Sequence, residues 1–218
     1  MPALVKTALF FALIHISDFV MGQTQGTVEL ALRLERWIEK NAHPIKNAMN
    51  PGVDTVRLDA LEKTLQCHLP QAVRGFYLQS DGQKDHLGGV FEGEELLSTD
   101  RILSEWKAWR TVMEDSSMKD LRSSPDAGVK NDWWNAKWIP ITYDGHGNHY
   151  CLDLDPAAGG QVGQIIRMWH DGPERELVSS SFESWMLDYV TALEAGNFVY
   201  SDEIGGIVTK EEASEYER

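Results

Sequence analysis

The sequence predicts an α+β domain, because its two halves carry different patterns of apolar residues. In the first half, apolar side chains recur every three or four positions, which is the spacing of amphipathic helices. In the second half, short β-type runs are separated by close turn sequences, which is typical of an antiparallel meander. A final helical pattern follows these runs. Helices, then a meander, then a closing helix indicate an α+β domain.

Three helices are predicted in the first 80 residues. The first spans residues 27–40, and the second carries Leu58, Leu61 and Leu65 on one face. The third begins near Pro70, because proline lacks the N–H that the first helical turn leaves unpaired. The sequence SDGQ after this helix is a turn signal.

The middle of the chain predicts a strand or hairpin, a helix and a polar loop. The hairpin corresponds to GGVFEGEELLS. The helix after it is capped by Ser98 or Thr99 and has Trp106 and Trp109 on its apolar face. Residues 115–132 are polar and predict a mobile loop.

The second half predicts four short strands and a closing helix. The strands cover residues 138–142, 149–154, 163–170 and 175–180, and turn residues separate them. The closing helix begins with a capping-box pair, Ser180 and Glu183. Its apolar face carries Trp185, Tyr189 and Leu193, and Gly196 is its C-cap.

The charge of the chain limits its partners. There are 20 basic and 34 acidic residues, a net charge of −14. A surface of this sign repels phosphate backbones, so we expect no direct binding of nucleic acid. The charge instead suits solubility or attraction to a basic protein partner.

The cysteine count and hydropathy favour a cytoplasmic protein. Cys67 and Cys151 do not make a disulfide framework in a chain of this length. No run approaches the roughly 20 apolar residues that cross a bilayer. Lys6 and the apolar residues 8–14 only weakly imitate a signal peptide, and translation could start at Met1 or at Met21.

The stretch DGHGNHYCLDLDP at residues 144–156 carries side chains that bind metals. A calcium loop of the EF-hand type needs Gly at position 6 and Glu at position 12, but these positions hold His149 and Asp155. His149, Cys151 and Asp153 alternate on one face of a strand beside His146 and could begin a zinc site. Structural zinc sites usually take paired ligands from two separate segments, which this sequence does not offer.

A turn and a strand explain more residues of the same stretch. Gly145 and Gly147 can supply the positive φ angles of a tight turn, and Asp144 and Asn148 can bind its backbone. Tyr150, Leu152 and Leu154 would then point into the core from alternate positions. A metal-dependent hydrolytic site using Asp144, Asp153 and Asp155 is a less favoured alternative.

The order of these motifs resembles the SUKH superfamily of the Smi/Knr type, named after a yeast cell-wall assembly regulator. The resemblance rests on LPQAVRGFYLQSDGQ, GVFEGEELLSTDRILSEW, WIPITYDGHGNHYCLDLDP and GQVGQIIRMWHDGPERELVSSSFESWM, about residues 55–195. It implies a central mixed, mostly antiparallel sheet flanked by helices, without enzymatic activity or a cofactor. The positions that match the family pattern, which we expect to maintain the fold, are Trp138, Pro140, Asp144, Gly147, Asn148, Asp153, Gly163 and Trp185.

The resemblance also predicts the boundaries of the domain within the chain. Residues 27–200 would form the single SUKH-like domain, residues 1–26 an N-terminal extension and residues 201–218 a loosely attached acidic tail.

The resemblance implies a function through protein binding. Bacterial members commonly neutralise a cognate toxin, and our leading hypothesis is such an immunity protein, with a nuclease as one possible toxin. The alternative is a regulatory scaffold like the fungal members. The oligomeric state stays open. The candidate partner-binding residues lie in acidic segments that we expect to be exposed loops: Asp81, Asp85, Glu92, Glu94, Glu95, Asp171 and Glu174.

Overall fold

The computed structural model describes residues 25–84, 88–118 and 120–216, and it has the predicted α+β architecture. The possible signal-like segment and Met21 lie outside the described residues. The helices are α1 (25–41), α2 (Thr55–Leu65), α3 (Gln71–Gln79), α4 (Thr99–Met113), α5 (Phe182–Glu194) and α6 (Lys210–Tyr216).

The strands lie mostly in the second half, as predicted. In chain order they are β1 (Met49–Pro51), β2 (Ser80–Gln83), β3 (Glu95–Leu96), β4 (Ser124–Pro125), β5 (Trp138–Pro140), β6 (Thr142–Tyr143), β7 (His149–Asp153), β8 (Gln164–Met168), β9 (Glu174–Ser179), β10 (Phe198–Ser201) and β11 (Gly206–Thr209).

The central sheet has the strand order β4-β9-β8-β7-β5. Antiparallel pairs join β5 to β7, β7 to β8 and β8 to β9, which confirms the predicted meander. β4 pairs with β9 in parallel, so the sheet is mixed and mostly antiparallel. The pairs β1–β2, β3–β6 and β10–β11 form small antiparallel sheets beside it.

The apolar faces of the helices pack into one hydrophobic core. The predicted faces of α2, α4 and α5 are buried, including Leu58, Trp106 and Tyr189. Fully burying one large apolar side chain stabilises a fold by about 1.5–3 kcal/mol. The closing helix therefore holds the sheet mainly through this face.

The helix caps match the prediction at α4 and differ by one residue at α5. The Ser98 hydroxyl accepts a hydrogen bond from the Arg101 N–H at the start of α4. At α5 the cap is Ser181, whose hydroxyl accepts from the Ser184 N–H, and the predicted Ser180 capping box is wrong. Three consecutive serines offer the same cap chemistry, so the sequence alone does not fix which one is used.

The SDGQ sequence is a buried strand and not a turn. These four residues form β2, and all of them are buried. The Gln83 side-chain carbonyl accepts hydrogen bonds from the backbone N–H groups of Val90 and Leu96. Asp81 likewise accepts the Thr99 N–H at 2.7 Å. The side chains of Asp81 and Gln83 can be buried because they bind backbone N–H groups of the segment that follows β2.

The polar segment 115–132, which we predicted to be a mobile loop, contributes a strand to the central sheet. Within it, β4 lies parallel to the start of β9. The Ser124 N–H donates to the Pro173 carbonyl at 2.7 Å, and the Asp126 N–H donates to the Arg175 carbonyl at 2.9 Å. A two-residue strand is too short to leave a pattern in the sequence.

The C-terminal segment is packed against the domain and is not a loose tail. β10 and β11 form a hairpin, and Ile207 is fully buried in the core. In α6, Ala213 is buried as well. No helix in the described ranges is both long and apolar enough to cross a membrane.

Candidate protein-binding surface

A row of charged and aromatic side chains crosses the face of the central sheet. The register places Tyr150 of β7 opposite Arg167 of β8, and Arg167 opposite Glu176 of β9. Because paired residues of neighbouring strands share one face, their side chains form a continuous row. The loop before β3 adds two carboxylates to this row. We call the whole set the Arg167 strip: Glu92, Glu94, Tyr150, Arg167, Trp169 and Glu176.

Arg167 is the centre of the strip. Its guanidinium donates to the Glu94 carboxylate at 2.6 Å, and both side chains are largely buried. The guanidinium carbon also lies 4.6 Å from the Tyr150 ring centroid and 4.4 Å from that of Trp169. Both distances are within the range of cation–π contacts. The arginine is therefore held by one ion pair and two aromatic rings.

Glu94 is the buried acidic partner of Arg167. Its second carboxylate oxygen accepts a 2.6 Å hydrogen bond from the Thr142 hydroxyl. Burial raises the pKa of Glu94, while Arg167 and Thr142 oppose that shift by stabilising the charged form. Both carboxylate oxygens thus have partners that compensate for the loss of water.

The exposed edge of the strip is ordered by hydrogen bonds. The Tyr150 hydroxyl donates to the Glu92 carboxylate at 2.9 Å, and the Trp169 indole N–H donates to Glu176 at 3.2 Å. Glu92 and Glu176 are exposed, and the two aromatic rings are partly exposed. Aromatic rings and an arginine held in fixed positions are typical of protein-binding surfaces, because little side-chain entropy is lost on binding.

The turn at residues 144–148 adjoins the strip and has the predicted structure. Gly145 and Gly147 have φ angles of +88° and +110°, which confirms the predicted need for glycine. One Asp144 oxygen accepts the N–H groups of His146 and Asn148 at 2.8 and 3.0 Å. Burial opposes ionisation of Asp144, but these hydrogen bonds prevail and lower its pKa.

Asn148 joins this turn to the one between β8 and β9. Its side-chain oxygen accepts the His170 N–H at 2.8 Å. A Cβ atom on Gly147 would lie 3.1 Å from the Cβ of His170, so the two turns pack closely. This contact places residues 169–174 beside the Asp144 turn.

The side chains that suggested a zinc site lie inside the core. His149, Cys151 and Asp153 are all buried, so this face of β7 points inward as well as the opposite face, for which we predicted it. Asp153 accepts the Asp155 N–H and the Gln164 amide, and burial raises the pKa of the Cys151 thiol. In the described part of the chain, no group of three or more His, Cys, Asp and Glu side chains could hold a metal ion. All residues of β7 are buried except Tyr150, which is half-buried.

His149 is a neutral, buried histidine. Its Nδ1 atom lies 2.6 Å from the Thr142 carbonyl, so this nitrogen carries the proton. The ring stacks on Tyr143 with centroids 5.5 Å apart, and Nε2 has no hydrogen-bond partner among the described residues. Burial lowers the pKa of His149 from 6.5 to about 4.

Acidification should therefore destabilise the fold through His149. Between pH 6.5 and about 4 the unfolded chain binds a proton at this ring and the folded chain does not. We expect a loss of about 3 kcal/mol in the free energy of unfolding over this range. Urea unfolding at several pH values would measure it, with His149→Gln removing this component.

His146→Gln is the matched control, since His146 is exposed. It should leave the pH profile of stability unchanged. A His149→Gln variant with the same pH profile as the unmodified protein would contradict the assignment.

The predicted acidic residues do not all lie in exposed loops. Asp81 and Glu94 are each only 8% exposed, so that expectation is wrong for both. Glu92 and Glu94 belong to the Arg167 strip, and Glu95 binds the Arg101 guanidinium at 3.0 Å. Asp171 is exposed in the turn between β8 and β9, and Glu174 is exposed at the first position of β9. Asp85 lies outside the described residues.

The sequence prediction missed the basic and aromatic members of the strip. Arg167 stands between the apolar Ile166 and Met168 within β8. A single arginine within an apolar run indicates a buried charge that requires an acidic partner. That signal identifies Arg167, but it does not identify Glu94, which lies 73 residues away in the chain.

Comparison with known proteins finds relatives that are named as regulators. The cell wall biosynthesis/cell cycle regulator smi1 of Schizosaccharomyces pombe is 28% identical over 78% of this chain and 37% of its own length. The glucan synthesis regulatory protein of Neurospora crassa is 25% identical over 82% and 40%. The cell wall assembly regulator SMI1 of Saccharomyces cerevisiae is 23% identical over 87% and 46%.

These comparisons correct the leading functional hypothesis. The relatives are named as regulators of cell-wall and glucan synthesis, so the predicted role in neutralising a toxin is wrong. The chain spans less than half the length of each of these relatives. The pattern of the SMI1 / KNR4 family (SUKH-1) matches residues 52–188, which is more than half of the chain. The chain therefore belongs to the SMI1/KNR4 family (SUKH-1).

Proposed function

We propose that the chain is a regulatory scaffold that binds a protein partner and acts in cell-wall or glucan synthesis. The names of its relatives support the process. The observation that supports binding is the ordered Arg167 strip, in which an arginine lies against two partly exposed aromatic rings.

The strip suits protein recognition more than chemistry. Its carboxylates are engaged by Arg167, Thr142 and Tyr150, and its arginine is fixed by Glu94. Groups held in this way keep their positions when a partner binds. In this proposal the chain acts by binding and is not an enzyme, and its partner is a protein.

We infer a cytoplasmic location for this scaffold. Both cysteines are free thiols, with Cys67 half-buried and Cys151 buried. Free thiols are typical of proteins in a reducing compartment.

Deletion of the gene in its own organism tests the function. We expect a cell wall with altered glucan content and greater sensitivity to a glucan-digesting enzyme. Re-expression of the unmodified chain should restore both properties. The double variant Trp169→Ala and Glu176→Ala should fail to restore them at an equal protein level, because it removes one ring and one charge from the strip.

A matched variant separates the strip from a general effect of surface mutation. Val56→Ala with Val112→Ala changes two exposed apolar side chains on α2 and α4, and it should restore the wall fully. An unchanged wall after deletion would overturn the proposed function. Full restoration by the Trp169 and Glu176 variant would show that the strip is not the binding surface.

A further inference from the structure

A cleft of 680 Å³ lies between α1, the C-terminal end of α5 and the hairpin of β10 and β11. Its volume is in the range of sites that bind ligands and peptides. Four basic side chains and one acidic side chain line it: Arg33, Arg36, Lys40 and Lys210, with Glu194. This basic cleft stands out in a chain whose net charge is −14.

The two arginines of the cleft already have carboxylate partners. Arg33 donates twice to Glu194, at 2.9 and 2.6 Å, and Arg36 donates to Glu29 at 2.7 Å. The planar fork of Arg33 is thus occupied, and that fork is the group that best matches a phosphate.

The two lysines provide the available positive charge. Lys40 on α1 and Lys210 at the start of α6 are exposed and form no ion pair with the described residues. A Cβ atom on Gly196 would lie 3.7 Å from the Lys210 ammonium, so this charge lies beside the end of α5. A lysine ammonium is a compact point charge, so these two lysines suit carboxylates that bind to them separately.

Aromatic rings provide an apolar part of the same cleft. Trp37 and Tyr200 line it and are partly exposed. The Trp37 indole N–H donates to the Leu193 carbonyl at 2.9 Å, which fixes the ring. A ligand for this cleft therefore needs apolar contacts as well as negative charge.

We propose that this cleft binds an acidic peptide segment of a partner protein, with carboxylates on Lys40 and Lys210 and apolar side chains on Trp37 and Tyr200. The site is separate from the Arg167 strip, and the proposal does not depend on the role in cell-wall synthesis. The net charge of the chain repels acidic peptides elsewhere, so the basic cleft directs them to one place.

Fluorescence anisotropy with a short labelled peptide of alternating glutamate and leucine tests the proposal. The full chain should bind it, more weakly as salt is added. The double variant Lys40→Glu and Lys210→Glu should raise the Kd by roughly tenfold or more, because two attractions become repulsions.

The matched control is the double variant Lys63→Glu and Lys107→Glu. It makes the same change of net charge at exposed lysines on α2 and α4, away from the cleft, and should change the Kd by less than about twofold. A peptide with glutamine in place of glutamate should bind much more weakly.

Three results would overturn the proposal. The first is an equal loss of affinity in the two double variants, since net charge alone would then explain binding. The second is binding that survives reversal of Lys40 and Lys210. The third is tighter binding of a phosphoserine peptide than of the glutamate peptide, which would identify a phosphate site. None of these results bears on the wall phenotype of the deletion strain.

Discussion

Replacing Arg167 by methionine is expected to lower the free energy of unfolding by about 3–5 kcal/mol at neutral pH. The change leaves the buried Glu94 carboxylate with the Thr142 hydroxyl but without its cation. An uncompensated charge in the interior is costly, because it has lost water and gained no ion pair. Urea unfolding, followed by intrinsic fluorescence, measures the loss.

The pH dependence of this variant has a definite sign. Without Arg167, the pKa of the buried Glu94 rises further above its value in the unfolded chain. The folded state then binds a proton more readily than the unfolded state, so stability is regained as the pH falls. The difference from the unmodified protein should therefore be largest at neutral and alkaline pH.

Two further variants test the origin of the loss. Adding Glu94→Gln to Arg167→Met should recover part of the stability, because the unpaired charge is gone. Arg36→Met breaks the exposed pair with Glu29 and should cost less than about 1 kcal/mol. The double variant would contradict a direct pairing of Glu94 with Arg167 if its loss in the free energy of unfolding equalled the sum of the losses in Arg167→Met and Glu94→Gln.

The sequence predicted those parts of the fold whose periodic pattern is several residues long. The stripe of Leu58, Leu61 and Leu65 predicts α2, and the meander strands appear as β-type runs. In both cases the spacing of apolar residues along the sequence matches the set of side chains that the fold buries. Turn glycines were predicted for a similar reason, because the positive φ of Gly145 and Gly147 is a local property.

Elements that depend on distant contacts were missed. β2 consists of polar residues that are buried because Gln83 and Asp81 bind backbone groups of a later segment. β4 has two residues and exists because β9 offers it a parallel edge. The partners of Gln83 and Asp81 lie 13 and 18 residues later in the chain, and the spacing of apolar residues does not reveal such pairings.

The residues of the proposed binding surface were predicted only in part, for the same physical reason. Acidic composition drew attention to Glu92 and Glu94, but composition does not separate an exposed carboxylate from a buried one. The strip exists because strand register brings Tyr150 and Arg167 together and the loop before β3 supplies Glu94. Function was mispredicted because fold resemblance alone includes both immunity proteins and regulators.

Replacing Trp138 by alanine is expected to cost about 3–5 kcal/mol in the free energy of unfolding. The ring is fully buried at the start of β5, on the edge of the central sheet. The cavity would adjoin Arg175, whose guanidinium carbon lies 6.0 Å from the Trp138 ring and 5.1 Å from that of Trp133. Thermal and urea unfolding would measure the loss.

Replacing Trp138 by alanine would remove an aromatic contact of Arg175 in addition to leaving a cavity. The Arg175 side chain is fully buried, donates to the Gly172 carbonyl at 2.9 Å, and has no carboxylate ion pair among the described residues. Burial lowers the pKa of Arg175 to about 10, so the folded state bears a cost for this charge. Trp138→Phe and Trp138→Leu both leave a partly filled cavity, but only phenylalanine keeps an aromatic face against the guanidinium, so Trp138→Phe should lose clearly less stability than Trp138→Leu. Equal losses in these two variants would mean that the ring face does not stabilise Arg175, and that the cavity alone accounts for the effect.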